Sequence, residues 1–246
     1  MRAAATALCL ALAAPAAAAD SPFQPGEQID LRVDFLRIPT GRVRIAVGRP
    51  EGAVWPVMMQ ARTDGIASVA DIRQHLVALW DPAAGQTRGY DLSAVEMRYR
   101  HQDRARYDRE KGKAQVVIQG RSLTDRTIDI PADVHDLASV FLWLRLQALR
   151  DGDHHELPLF SSDRVFTLVA DVLGRETVEV PAGRFPAVQV RIRTAFEGQF
   201  KTNSDSVLWF SDDARRVLVQ ASADFVLGSL VARLERYQPG GEVARR

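Results

Sequence analysis

The chain has 246 residues, with 32 lysines and arginines against 31 aspartates and glutamates. A near-neutral balance argues against a protein built throughout to bind polyanions, and the single cysteine, Cys9, has no partner for an internal disulfide. A chain of this length buries about 70% of its unfolded surface, so a core can form without covalent staples.

Met1 to Ala19 reads as a cleavable export signal. Arg2 supplies a positive start, Ala3 to Ala14 is almost entirely apolar, Pro15 breaks the run, and Ala17-Ala18-Ala19 ends it in a small-x-small pattern. A spanning helix needs roughly 20 apolar residues, and only about a dozen precede Pro15. A lipoprotein would carry its cysteine at the end of this run, whereas Cys9 lies in the middle. Cleavage near Ala19 would remove Cys9 and Arg2 together and leave a periplasmic chain, 20–246, with neither thiol nor net charge. No later apolar run approaches spanning length, so no transmembrane segment is expected in the mature chain.

Beyond the leader, period-two alternation dominates. Ile29 to Phe35 alternates cleanly, Pro39-Thr40-Gly41 reads as a turn, and Val43 to Val47 forms the return strand of a hairpin. Leu76 to Trp80 is a covered strand, followed by the loop Asp81-Pro82-Ala83-Ala84-Gly85; Val95 to Arg100 alternates again, and Lys111-Gly112 turns the chain. One long helix is expected near residues 133–150. Asp133 caps it, with Asp136 three residues later where an acid favours a helix start; Val134, Leu137, Phe141, Leu144 and Ala148 form a stripe, Val140, Trp143, Leu146 and Leu149 widen that stripe, and Gly152 caps the end. Strands follow at Val165 to Leu173, Val188 to Arg193, Val207 to Phe210 and Val217 to Ala221, with Pro181-Ala182-Gly183 as a turn; residues 238–246 read as a frayed tail.

The predicted fold class is mainly β: an antiparallel curved sheet, half-barrel or barrel-like, with the buried helix in its concave face. It forms a single domain, 20–237, of two halves, 20–130 and 151–237, joined by the helix. An outer-membrane barrel is the structural rival, but the alternating runs of six or seven residues fall short of its strands of about 9–11.

Several stretches in this order resemble a family of exported bacterial proteins known as domain of unknown function 3108. They are Phe23-Gln24-Pro25-Gly26-Glu27, Ile38-Pro39-Thr40-Gly41, Asp136 to Phe141 with Leu144-Arg145, Gly152-Asp153, Val180 to Phe185, Trp209 to Arg216, and Gly228 to Val231. Leu218 departs from the pattern, which often has proline after the arginine pair. The resemblance implies a β-rich periplasmic protein and transfers no catalytic residue.

Four clusters could carry chemistry. Asp151-Gly152-Asp153-His154-His155-Glu156 offers metal-ligand types, yet adjacent histidines on an extended chain face opposite ways. His135, Asp136 and Ser139 have the residue types of a triad, without a Gly-x-Ser-x-Gly elbow. Asp212-Asp213 is a carboxylate pair too close in sequence to flank a glycosidic bond. Arg98 to Tyr107 interleaves arginine and tyrosine, which suits an anionic envelope ligand or a partner protein, whereas export makes nucleic acid unsuitable. Glycine-rich phosphate loops and His-Glu-x-x-His are absent, so no cofactor is implied and no catalytic, metal or ligand-binding residue is assigned. The expected function is a non-catalytic periplasmic envelope protein, holding an apolar or lipid-like ligand or a partner protein. The alternative is a metal-dependent or hydrolytic enzyme using His135, His154, His155 or Glu156. An open apolar pocket several hundred Å³ in size would favour ligand binding, and a fully packed concave face a scaffold.

Overall fold

The computed structural model describes residues 21–65, 71–196, 199–200, 205–225 and 228–241. The export signal expected at 1–19, with Cys9, lies outside these, as do residues 242–246. The first half of the chain is a meander of eight strands: β1 (Gln28–Phe35), β2 (Ile38–Val47), β3 (Trp55–Thr63), β4 (Ile72–Asp81), β5 (Gln86–Glu96), β6 (Tyr99–Asp108), β7 (Lys113–Gln119) and β8 (Leu123–Asp129). A helix, α1 (Leu137–Leu146), follows. The second half comprises β9 (His154–Ser161), β10 (Arg164–Val180), β11 (Gly183–Phe196), β12 (Gln199–Phe200), β13 (Ser206–Ser211), β14 (Leu218–Phe225) and β15 (Gly228–Gln238).

All strands belong to one antiparallel sheet, ordered β8-β7-β6-β5-β4-β3-β2-β1-β15-β14-β13-β11-β10-β9, with β12 paired to β11. The halves are stitched where β1 meets β15, Gln28 opposite Gln238 and Phe35 opposite Leu230. The sheet stays open but curls until its edges approach. Arg126 of β8 pairs with Asp163 in the turn after β9, and Ile128 and Val165 share one apolar cluster with Val134 and Phe160. The free edge of β9 is covered by the chain entering the helix: His135 N–H donates to Pro158 O at 2.8 Å, and Phe160 N–H donates to His135 O at 2.6 Å. An edge so paired is no longer a template for another chain.

Alternation places the apolar residues inside. Ile29, Leu31, Ile45, Val57 and Trp80 are buried in the core with α1, while Arg42, Arg44, Arg62, Arg73 and Arg104 stand exposed on the outer face. A membrane-spanning barrel requires the reverse, an apolar outer band.

Two turns differ from the sequence reading. The first hairpin turns at Leu36-Arg37, both at positive φ (50° and 68°), and Pro39-Thr40-Gly41 lies inside β2 at a bulge opposite Val33-Asp34. The alternating run Val95 to Arg100 is split by a two-residue turn at Met97-Arg98, with Met97 at φ 57° and Glu96 opposite Tyr99. Both escaped detection because the turns lack glycine and asparagine; non-glycine residues in this left-handed region each cost of order 1 kcal/mol. At the far end of the sheet the turns at Gly52, Gly85 and Gly112 use glycine for the same φ.

The helix is also shorter than the expected 133–150. Asp136, not Asp133, is the N-cap: its side chain accepts from Ser139 N–H at 2.8 Å while Ser139 Oγ accepts from Asp136 N–H at 2.7 Å. His135 bridges to Leu159 of β9, and Val134 N–H donates to Pro131 O in a turn, which keeps both out of the helix. The helix ends at an extended C-cap, Gln147, and Gly152 instead turns the chain into β9, its N–H donating to Val172 O. The buried face differs too, since Leu137 is 61% exposed whereas Arg145 is 2% exposed. The expected tail from 238 is partly docked: β15 runs to Gln238, and Gly241 N–H donates to Pro25 O at 3.2 Å.

Arg145 is buried because it has a matching acid. It grips Glu27 bidentately at 2.7 and 2.8 Å, donates to Pro22 O and Arg215 O, and stacks over Phe23 and Phe141. Tyr237 O–H donates to the same carboxylate at 3.0 Å. Removing one member of such a pair leaves a buried charge without compensation, so Glu27→Gln is expected to lower stability by about 3–5 kcal/mol. Glu27→Leu combined with Arg145→Met is expected to recover part of that loss, as read by urea unfolding.

Candidate functional site

Above the first turn of α1 the concave face is not filled. A cavity of about 350 Å³ lies between the inner faces of β2 to β6, the start of the helix and the turn after β9. Strand periodicity builds its floor: Met59 faces Leu76 across β3–β4, and Leu76 faces Leu92 across β4–β5. Val43, Tyr90 and Phe160 complete the apolar wall, and the exposed Leu137 stands at its edge. The remainder of the helix is packed, with Ala138, Leu142 and Leu144 fully buried. The concavity is thus a dry core around most of α1 and an open apolar pocket beside its first turn, within the size range of small-molecule sites.

Polar groups enter this pocket at three points. Asp136 is buried and its oxygens are engaged: Thr87 Oγ1 donates to Oδ2 at 2.6 Å, Ser139 N–H donates to Oδ1, and burial raises its carboxyl pKa. Asp103, 5% exposed, has no hydrogen-bond partner for Oδ1 among the described residues, and burial raises its pKa as well. His101 lies beside it with Nδ1 also unpartnered. An apolar ligand bearing a hydroxyl or amine could satisfy both. The sequence reading missed Asp103 and the pocket, although the alternation was visible: Asp103, Ala105 and Tyr107 share one face of β6, and Arg104 and Arg106 share the other, both paired to Asp91.

The sequence-flagged clusters do not converge there. His154 Nδ1 is 2.7 Å from Asp171 and its Nε2 is 3.4 Å from Glu156, and these carboxylates raise its pKa. His155 faces the other way, its ring edge-on to Trp143 at 5.1 Å. Among the described residues no group of three or more His, Cys, Asp or Glu is placed to hold a metal ion. Ser139 is fully buried and bonds the Asp136 backbone, so the helix cap absorbs the triad's residue types. Asp212 accepts from Arg175, whereas Asp213 accepts from Ser211 and Arg215, which makes the pair a turn. Within Arg98 to Tyr107, Tyr99 stacks on His101 at 5.2 Å, and Arg98 and Arg100 have no ion pair among the described residues.

His135 is held neutral by burial and by the nearby Arg109, which bring its pKa down to about 4. The unfolded chain binds this proton near 6.5, so the contribution is complete above that pH and is lost as pH falls towards 4. Acid unfolding curves of the wild type should show this loss, roughly 3 kcal/mol between those limits. His135→Gln should remove that slope while leaving the carboxylate contribution in place.

Several solved structures resemble this one. The β-barrel-like protein of domain of unknown function DUF1849 from Brucella abortus is 12% identical, covers 88% of this chain and 98% of its own, and superposes with a TM-score of 0.62. That similarity supports the barrel-like fold alone. A Bacteroides fragilis protein described as exported, with a YmcC-like fold, is 14% identical over 89% of this chain and 98% of its own, with a TM-score of 0.36. A Parabacteroides distasonis protein described as a lipoprotein is 11% identical over 89% and 99%, with a TM-score of 0.37. Neither of these two scores supports an argument about the present chain. No curated protein matches in sequence. The family model described as protein of unknown function (DUF3108) matches residues 29–235, so the chain belongs to that family.

Proposed function

We propose that this protein is a non-catalytic binding protein of the bacterial cell envelope, working in the periplasm, and that it holds an apolar, lipid-like ligand beside the first turn of α1. The observation that carries this reading is the cavity of about 350 Å³ walled by Met59, Leu76, Leu92 and Phe160. Apolar walls with a few convergent polar groups are what small-molecule sites present. Asp103 and His101 supply polar groups for a hydroxyl or amine head, and the export signal at 1–19 motivates the compartment.

Native mass spectrometry and solvent extraction of protein purified from periplasm test the reading, with monoolein as the added probe. A co-purifying apolar molecule, or monoolein bound at one site, is the expected result. Leu92→Trp, which fills the cavity, should weaken monoolein binding at least ~10-fold, about 1.4 kcal/mol. Leu137→Glu should weaken it without loss of stability, because an acid at the first helical position suits the helix dipole. Protein that is always empty and indifferent to both substitutions overturns the proposal. Stoichiometric metal with an activity abolished by His154→Ala would favour the enzymatic alternative.

A further inference from the structure

The hairpin turns at the two ends of the sheet differ in kind. At one end lie the turns joining β2 to β3, β4 to β5 and β6 to β7, with Gly52, Gly85 and Gly112 at positive φ. None of these turns exposes a large apolar side chain among the described residues. At the other end lie the turns joining β1 to β2, β3 to β4, β5 to β6 and β7 to β8. There Leu36 is 59% exposed, Ile38 53%, Met97 68% and Leu123 70%, with Ile72 and Tyr99 also exposed. Most of the exposed large hydrophobics of the described chain stand on this one rim.

Each of these side chains has an arginine for a neighbour: Leu36-Arg37-Ile38, Ile72-Arg73, Met97-Arg98-Tyr99-Arg100 and Arg121-Ser122-Leu123. Acids are fewer there: Glu96 accepts from Gln74, and the aspartates are engaged. Asp64 is taken by Arg42 and Asp71 by Arg73. Arg37, Arg62, Arg98 and Arg100 have no ion pair among the described residues, and Arg121 lies over the Tyr99 ring at 5.5 Å. On the outer shoulder of the same rim Arg42 stands opposite Arg62, and Arg62 opposite Arg73, on adjacent strands. Arg42 and Arg73 each hold an aspartate, whereas Arg62 between them has no acid among the described residues, and like charges so placed repel. The backbone shows the same tension: Leu36, Arg37, Asp71 and Met97 occupy left-handed conformations, whereas the turns at the other end, like Gly65 at this one, give them to glycine. Residues kept in strained turns invite a functional explanation.

We infer that this rim docks onto an anionic lipid bilayer, Leu36, Met97 and Leu123 entering the headgroup region while the arginines meet lipid phosphates. Apolar tips beside basic residues fit an interface with both layers, whereas a soluble polyanion would use the arginines and leave the apolar tips idle. Gln74, Glu96 and His101, close to these turns, also line the cavity, so docking turns its mouth towards the bilayer. The inference stands on the rim alone and does not require the cavity to be occupied.

Vesicle co-sedimentation of the full mature chain tests it, using phosphatidylcholine with and without about 30% phosphatidylglycerol. Binding is expected only to the anionic vesicles, falling steeply with salt, and unaffected by millimolar inorganic phosphate. Leu36→Ser/Met97→Ser/Leu123→Ser should weaken it at least ~10-fold, and Arg37→Glu/Arg98→Glu/Arg121→Glu should abolish it. Arg49→Glu/Lys111→Glu, at the opposite end, should change it less than ~2-fold. Leu36→Asn/Arg37→Gly separates docking from folding, because relief of the strained turn should raise thermal stability while binding falls. Equal binding to neutral vesicles, equal loss on substitution at the opposite end, or apolar-tip variants that bind normally would overturn the inference. The last result, joined to competition by soluble heparin, would make the rim a polyanion site instead.

Discussion

The Arg145–Glu27 ion pair is the constraint on which the rest of the architecture depends. An open sheet this long has no covalent closure, and its strands wrap a helix of only ten residues. One guanidinium at the end of that helix holds the entry to β1 through Glu27 and Pro22, the turn before β14 through Arg215, and β15 through the carboxylate shared with Tyr237. Those contacts lie where the two halves of the sheet join. A planar donor fork can bind a carboxylate and two carbonyls at once, which a lysine in the same place cannot do.

Fixing the helix at its last turn leaves its first turn a different task. Asp136 anchors it by the capping box and the Thr87 hydroxyl, and His135 attaches the preceding chain to β9. Between these anchors and the hairpin rim the inner face of β3 to β6 remains uncovered, and there the cavity lies. The helix thus closes one end of the concavity and leaves the other open. The near-neutral charge of the whole chain conceals a local excess of arginine at that open end, so apolar interior, open mouth and basic rim follow one another along the sheet.

Much of this was legible in the sequence. Alternation and covered apolar runs located β1, β2, β4, β10, β11, β13 and β14, the loops at Asp81–Gly85 and Pro181–Gly183 fall where turn chemistry placed them, and the barrel-like curved sheet with one helix is the observed class. The family motifs marked Glu27, Asp136, Ser139 and Arg145 without revealing that the first and last are partners separated by more than a hundred residues. No local rule brings such positions together. The helix was overextended because Val134 and Ala148 fit its period, while strand pairing at one end and the extended Gln147 at the other decided its length. The turns at Leu36-Arg37 and Met97-Arg98 escaped because they violate the usual residue preferences. That departure is itself the clue to the rim.

Hydrogen exchange of residues 20–246, with and without saturating monoolein, tests the division between closed core and open mouth most directly. Slow exchange is expected in residues 140–146 in both states, with new protection confined to strands β3 to β6 around Met59, Leu76 and Leu92 and to the turn at Ser161-Ser162. Fast exchange through α1 in the free protein, or ligand-induced protection away from that pocket, would contradict it.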